Sequence, residues 1–162
     1  MHHQKLLLAD LTRFWFTVER RVLEGFKVIS CRSVHLPTAD NPSAHRIAQV
    51  HAVFSISPAA QRLLFPMNNQ PPEHLAYIEW FTPFWPQPEV NSRLYKVSHA
   101  HHRDARIASI IPIGNITQSI HLFPLVGSTV PCDWNSATVI EHCQSFLVNS
   151  FMNVQTYVMF NE

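Results

Sequence analysis

The sequence contains very little glycine, a residue that many catalytic and phosphate-binding motifs require. Only three glycines occur among 162 residues, and neither a G-x-S-x-G nor a G-x-G-x-x-G pattern is present. A nucleophile elbow and a nucleotide-binding loop both need glycine where the backbone turns sharply or approaches a ligand closely. The sequence therefore predicts neither an α/β-hydrolase site nor a dinucleotide-binding loop.

Acidic residues are also scarce in the positions that two-metal phosphoryl-transfer chemistry would use, which are the ends of strands. The four aspartates lie in the N-terminal segment or in turn-like stretches. Glu79, within YIEWF, is the one acid in the middle of an apolar strand. Alternation predicts that it lies on the solvent face of an edge strand. No catalytic residue is predicted.

Cysteine is too rare and too scattered for a disulfide framework or a paired zinc site. Cys31, Cys132 and Cys143 form no C-x2-C pair, and the one close histidine cluster, HAHH, resembles an exposed hairpin tip. We predict no metal, no cofactor and an intracellular, reducing compartment. No apolar run approaches the ~20 residues of a membrane span, so we expect no membrane association.

Charge of either sign is sparse, because only 14% of the residues are charged and the formal net charge is +1. This balance provides no electrostatic footprint for nonspecific binding to nucleic acid. Nine of the twelve basic residues are arginine, which leaves a local arginine patch open. DNA is therefore only a weakly supported partner.

What the chain does contain is a series of short apolar runs rich in aromatic and β-branched residues. Between breaks that carry proline, asparagine or histidine, such runs are typical of successive antiparallel strands. Strands are predicted over residues 26–35, 46–57, 75–84, 94–98, 105–111, 146–148 and 156–160, and residues 115–123 are predicted as a strand or as a short helix followed by a strand. A hairpin is predicted at HAHHRD and a short helix over 136–145, with Ser136 as its cap and Glu141 nearby. Residues 14–24 fit either a helix or a strand, and periodicity does not separate the two.

Aromatic residues cluster in and after the strand that begins at Leu75. Rings in small β-barrels can form cages for methylated lysine, although core packing is the ordinary role of aromatic residues in a strand. Trp80 and Phe81 are expected on opposite faces of that strand. We predict Trp80, Phe84 and Trp85 as binding residues, and Trp85, beside Pro86, as the most exposed of them.

Five segments in order resemble the C-terminal β-rich domain of fungal DNA transposases of the Plavaka type, within the CACTA-like group. They are HRIAQV, LAYIEWFTPF, LYKVS, ASIIPIGNITQSIHLFP and CDWNSATVIEHCQSFLVNSF, and they cover roughly residues 44–160. A weaker, pattern-level likeness connects the same segments with bromo-adjacent-homology (BAH) and SH3-like barrels. The expected fold is mainly β, a small, partly open SH3-like or BAH-like barrel with a short N-terminal helix and one short helix in the C-terminal half.

The resemblance implies a noncatalytic accessory domain over residues 44–162, preceded by a helix or strand extension over residues 1–43. In such transposases an RNase H-like core with acidic metal ligands lies upstream, and these 162 residues do not contain it. We therefore expect no enzymatic activity and a truncated copy or tail that contacts the transposase core, chromatin or another protein, in the nucleus if functional. The alternative is a stand-alone chromatin reader or interaction module that uses the aromatic surface.

Overall fold

The computed structural model describes residues 30–35, 45–84, 87–132, 134–135, 138–149 and 151. Within these ranges the protein is mainly β with few and short helices, as the sequence predicts. The predicted N-terminal helix, the ambiguous residues 14–24 and the predicted strand over 156–160 lie outside the described residues, as does Trp85.

The strands form two open sheets and one small hairpin rather than a closed barrel. The five-stranded sheet has the order β7-β3-β2-β1-β8, the three-stranded sheet has the order β4-β10-β9, and β5 pairs with β6. The strands are β1 Ser30–His35, β2 His45–Phe54, β3 Leu75–Trp80, β4 Tyr95–Ser98, β5 His101–His102, β6 Ala105–Arg106, β7 Ala108–Pro112, β8 Ile116–Ser119, β9 Leu122–Pro124 and β10 Ser145–Val148.

Every strand pair is antiparallel, and the register places polar residues of neighbouring strands side by side. Gln49 of β2 lies opposite Glu79 of β3. Between Val50 and Ala52 the register shifts, which leaves His51 as the extra residue of a β-bulge. Strand β1, although it falls within the predicted 1–43 extension, lies between β2 and β8 inside the main sheet.

Two clusters of buried side chains cover the two faces of the five-stranded sheet. The inter-sheet core lies between this sheet and the three-stranded sheet and contains Cys31, Ile47, Phe81, Val97, Ile120, Cys143, Phe146 and Val148. The outer-face core contains Val34, Ala48, Val50, Ala76, Ile78, Trp80, Ala100 and Ile111. As alternation predicts, Trp80 and Phe81 belong to different clusters.

Two short helices occur among the described residues. Helix α1 (Pro58–Leu64) begins after Ser57, whose Oγ accepts a hydrogen bond from the Ala60 amide at 3.3 Å. It has no buried residue. Helix α2 (Val139–His142) is a single turn within the helix predicted over 136–145. The predicted cap of that helix, Ser136, lies outside the described residues.

The predicted hairpin around HAHHRD is wrong in its extent. The hairpin contains only β5 and β6, of two residues each. Strand β4 pairs with β10 in one sheet, whereas β7 pairs with β3 in the other. The chain therefore crosses from one sheet to the other through the histidine-rich turn, and the strands on either side of it pair with strands that are distant in sequence.

The predicted position of Glu79 at a sheet edge is also wrong. Strand β3 lies between β2 and β7, so Glu79 is in the interior of the sheet. Its side chain is 16% exposed and faces the second sheet rather than solvent. Sequence alternation identifies the face on which a residue lies, but it does not show whether that face is covered.

Replacing Phe146 by alanine is expected to lower the free energy of unfolding by about 3–5 kcal/mol, because the ring fills the space between the sheets. Urea denaturation of both proteins measures the difference. Leu63→Ala is the control, since Leu63 is 87% exposed and its loss should change stability by no more than about 0.5 kcal/mol. A Phe146→Ala effect as small as that of the control would contradict the placement of Phe146.

Candidate functional site

Two of the three predicted binding residues, Trp80 and Phe84, are described by the structure, and their surroundings differ. Trp80 is 5% exposed, and its indole N–H donates to the Ser109 hydroxyl at 2.8 Å. The guanidinium carbon of Arg46 lies 4.9 Å from the centre of the Trp80 ring, in a cation–π contact. Phe84 is half-buried against the inter-sheet core, 5.9 Å from the Tyr95 ring. The binding role of this set stays a prediction.

The densest group of polar contacts lies elsewhere, on the face of the five-stranded sheet that looks toward the second sheet. We call it the Arg106 cluster, and it consists of Gln49, His51, Glu79, Arg106 and Glu141. Strand β3 supplies Glu79, and the bulge in β2 brings His51 Nε2 to 3.2 Å from Glu79 Oε2. The register that pairs β2 with β3 thus assembles the sheet's part of the cluster.

Arg106 connects this part of the sheet to helix α2. Its Nη1 donates to Glu79 Oε2 at 2.9 Å and to Glu141 Oε2 at 2.5 Å. Its Nη2 donates to the backbone carbonyl of Glu141 at 2.9 Å. One guanidinium therefore joins three elements that are distant in sequence: β3, the β5–β6 hairpin that carries Arg106, and α2. The planar, multiply donating group suits such a bridge better than an ammonium does.

Gln49 completes the attachment of α2. Its side chain is fully buried, and Nε2 donates to Glu141 Oε1 at 2.7 Å. Both carboxylate oxygens of Glu141 are thus occupied, one by Gln49 and one by Arg106. Gln49 Oε1 is shielded from solvent and accepts no hydrogen bond within the described part of the chain. A buried amide oxygen without a donor costs free energy, which the other contacts of the cluster must offset.

Electrostatics in the cluster favour the charged forms of its acid and its base. Burial acts to raise the pKa of Glu141, but hydrogen bonds from Gln49 and Arg106 and the charge of Arg106 outweigh it and lower that pKa. Burial likewise acts to lower the pKa of Arg106, and its two carboxylate partners outweigh this and raise it. Glu141 is therefore favoured as a carboxylate and Arg106 as a cation, which is the state of an ion pair.

A buried histidine borders the cluster on its apolar side. The His99 ring stacks on Phe81, with 4.7 Å between ring centres, and meets Phe146 edge-on at 5.8 Å. His99 Nε2 lies 2.7 Å from the backbone carbonyl of Ile140, in α2. A carbonyl can only accept, so Nε2 carries the proton and Nδ1 is the unprotonated nitrogen.

Metal ligation and cysteine chemistry are two further possibilities that the described residues address. Across those ranges, no group of three or more His, Cys, Asp and Glu side chains has the geometry to hold a metal ion. Among the cysteines, Cys31 lies in the inter-sheet core, where burial raises its thiol pKa to about 12. Such a thiol is not a nucleophile at neutral pH.

Exposed apolar side chains form a second candidate site, on the surface. Leu63 at the end of α1 and Met67 just after it are each 87% exposed, and Leu64 between them is also exposed. We call these three residues the α1 apolar surface. A group of apolar side chains left in water is typical of a surface that contacts another protein.

No protein-family model, no curated protein and no solved structure matches this chain. In the part of the chain that the structure describes, no helix has the length and apolar character needed to cross a membrane.

Sequence reasoning did not identify the Arg106 cluster. It singled out Glu79 as an unusual acid, and Glu141 only as a residue near a helix start. It did not connect either with Arg106 or Gln49, which are separated from their partners by 27 to 92 positions. The sequence feature that could have indicated the cluster was Glu79 itself, an acid within an apolar strand. A carboxylate on a strand that is not at a sheet edge requires a cationic partner.

Replacing Glu141 by glutamine should lower the free energy of unfolding by about 1 kcal/mol at neutral pH, because the ion pair with Arg106 loses its negative charge. The effect is modest because the Glu141 side chain is partly exposed to solvent. The folded-state pKa of Glu141 lies below its ordinary value of 4.5, so its contribution is present above that value and is lost as the pH falls through the folded-state pKa. The wild type and Glu141→Gln should therefore converge in stability in strong acid.

Denaturation profiles at several pH values measure this convergence. Glu73→Gln is the matched control, because the Glu73 side chain is 84% exposed and its one ion pair, with His74, spans 3.8 Å. Equal losses from the two substitutions at neutral pH would contradict a stabilising role for the Glu141 contacts.

Proposed function

We propose that this chain is a noncatalytic accessory domain, or a truncated copy of one, from a transposon-derived transposase of the Plavaka type, and that it mediates contacts with proteins. The observation that carries the proposal is the α1 apolar surface, in which Leu63 and Met67 are almost fully exposed. Because exposed apolar groups gain stability when a partner covers them, the surface supports a docking role. The sequence resemblance supports the transposase origin.

The partner favoured by the proposal is the transposase core that the family resemblance places upstream, and a chromatin protein is the second candidate. Such a domain would work in the nucleus. The pairing of Glu79 and Glu141 with Arg106 supports a noncatalytic role, since both carboxylates make contacts that hold the fold together.

The proposal extends to the finer fold, an SH3-like or BAH-like barrel that is only partly open. This finer fold is supported by two antiparallel sheets, of five and three strands, that share the inter-sheet core, and by helix α2 in the C-terminal half. Since both sheets are open, the assignment is to an incomplete barrel.

Direct DNA binding is the least supported partner. Two of the nine arginines, Arg46 and Arg106, are already occupied within the protein. Arg46 donates to the Phe81 carbonyl at 2.7 Å and lies over Trp80, and Arg106 binds two carboxylates. With a net charge of +1, the chain has little positive charge left for phosphates.

The docking role is tested with the transposase core encoded upstream, which mapping of the 5′ end of the native transcript would identify. Titration calorimetry should show binding by the wild-type domain and a loss of affinity of at least about tenfold in Leu63→Ser/Met67→Ser, which removes the apolar contacts. Val90→Ser is the matched control, since Val90 is 90% exposed but lies far from α1 in sequence. Equal affinity of the double variant and the wild type would contradict the assigned surface.

The stand-alone reader is the alternative function, with Trp80, Phe84 and Trp85 as its contact residues. The observation that favours it is the half-buried Phe84 ring beside Tyr95, which leaves part of an aromatic pair at the surface. Against it, Arg46 already occupies one face of the Trp80 ring. A cationic ligand that bound on that face would have to displace the Arg46 guanidinium.

If the reader alternative holds, Trp85→Ala should abolish binding to methyl-lysine peptides without lowering the melting temperature. Fluorescence anisotropy with a panel of histone peptides measures the binding, and thermal unfolding provides the stability control. Absence of peptide binding by the wild-type protein would reject the alternative, whereas peptide binding that survives Trp85→Ala would reject only the assigned residue.

A further inference from the structure

We propose that His99 is a proton-sensitive latch that holds helix α2 on the sheets at neutral pH and releases it on acidification. The latch consists of one hydrogen bond, from His99 Nε2 to the Ile140 carbonyl at 2.7 Å. Helix α2 has only four residues, so it has little stability of its own and depends on such contacts.

The surroundings of the His99 ring disfavour a second proton. The side chain is buried between the rings of Phe81 and Phe146. Its Nδ1 is shielded from solvent and has no hydrogen-bond partner within the described residues. A proton on Nδ1 would therefore place a cationic N–H where nothing accepts it, which is a costly arrangement in a nonpolar site.

Charged groups face His99 from each neighbouring element. Arg106 of β6 disfavours the imidazolium, whereas Glu79 of β3 and Glu141 of α2 favour it. Both carboxylates are already bonded to Arg106, so their charge is largely compensated. From β5, the ring nitrogen Nδ1 of His101 lies 2.9 Å from the His99 backbone carbonyl and does not reach the imidazole.

His51 of β2 is a further imidazole near the cluster. Its Nε2 lies 3.2 Å from Glu79 Oε2, and Glu79 is one of the two carboxylates that favour a charged His99. The exposed His142 belongs to α2 itself.

Opening at α2 gives a charged His99 access to water. The helix is attached by three further hydrogen bonds, two from Arg106 and one from Gln49, all to Glu141, and by the packing of Val139 and Ile140 against the inter-sheet core. Release of α2 therefore breaks one local group of contacts and leaves the ladders between β1, β2 and β3 intact. The transition is local rather than global unfolding.

The direction of the pH effect follows from the burial of the ring. The hydrogen bond from Nε2 to the Ile140 carbonyl and the charges of Glu141 and Glu79 act to raise the pKa of His99. Burial, assisted by the charge of Arg106, outweighs them and lowers that pKa below its ordinary value of 6.5. At pH values between the His99 pKa of the open form and the lower His99 pKa of the closed form, the open form therefore binds the proton more readily than the closed form. The closed form is favoured above pH 6.5 and loses its advantage as the pH falls below that value.

Native-state hydrogen exchange tests the latch in the intact chain. The Cys143 amide donates to Val139 at 2.9 Å across the α2 turn, and the Trp80 amide donates to Ile107 at 2.9 Å in the main sheet. Corrected for intrinsic rates, protection of Cys143 should fall by roughly tenfold between about pH 7.5 and about pH 5.5, the range in which histidine titrates. Protection of Trp80 should stay constant.

His99→Gln separates the latch from other titrations, because the glutamine amide can donate to Ile140 but does not titrate. In this variant the pH dependence of Cys143 protection should disappear. His101→Gln, which removes an exposed neighbouring histidine, should retain it. Equal pH dependence in His99→Gln and wild type, or constant protection in the wild type, would overturn the proposal.

An NMR titration of the wild-type imidazole provides a second test that needs no variant. The ring C–H resonance of His99 should move with a midpoint below the ordinary pKa of 6.5. A midpoint at or above 6.5 would overturn the proposal even if His99→Gln failed to fold.

Discussion

The contact on which the rest of the structure depends is the bridge that Arg106 makes between Glu79 and Glu141. The guanidinium binds one carboxylate on the main sheet and a second one on helix α2, and it also donates to the backbone of that helix. The two sheets share an apolar core, but apolar packing alone does not determine how a four-residue helix sits on them. The directional bonds of Arg106 and Gln49 provide that orientation.

The bridge also explains how charge is used in a chain with so little of it. Only 14% of the residues are charged, yet two acids and one base are paired in partly buried positions where the sheet meets α2. An ion pair that is withdrawn from water contributes little net stability compared with apolar residues of the same shape, but removing one member leaves an uncompensated charge. The cluster therefore contributes mainly to structural specificity, because any other position of α2 would leave these charges unpaired.

The sequence predicted the strands well, because their information is local. Strand β3 ends at Trp80, shortly before Pro83, β8 falls within its predicted segment, and β2 and β10 each begin one residue before theirs. The opposite orientations of Trp80 and Phe81 also followed from the two-residue period. What local pattern could not provide is the pairing: it does not show that β4 joins β10, nor that β3 is an inner strand.

The candidate site was less predictable for the same reason. Gln49 and Glu141 are 92 positions apart, and each looks like an ordinary polar residue in its own segment. The His99 environment needs the packing of Phe81 and Phe146 from two different sheets, which only the assembled fold provides. Leu63 and Met67 are the opposite case, because these apolar residues remain exposed to solvent although the sequence alone does not distinguish them from core residues.

A double-mutant cycle on Arg106 and Glu141 tests the central claim most directly. Urea denaturation of the wild type, Arg106→Met, Glu141→Gln and the double variant gives the coupling free energy between the two side chains. If Arg106 holds α2 through Glu141, the coupling should be about 1–2 kcal/mol, and the double variant should be less destabilised than the sum of the single ones. A coupling below about 0.3 kcal/mol, within the additivity of independent sites, would contradict the account.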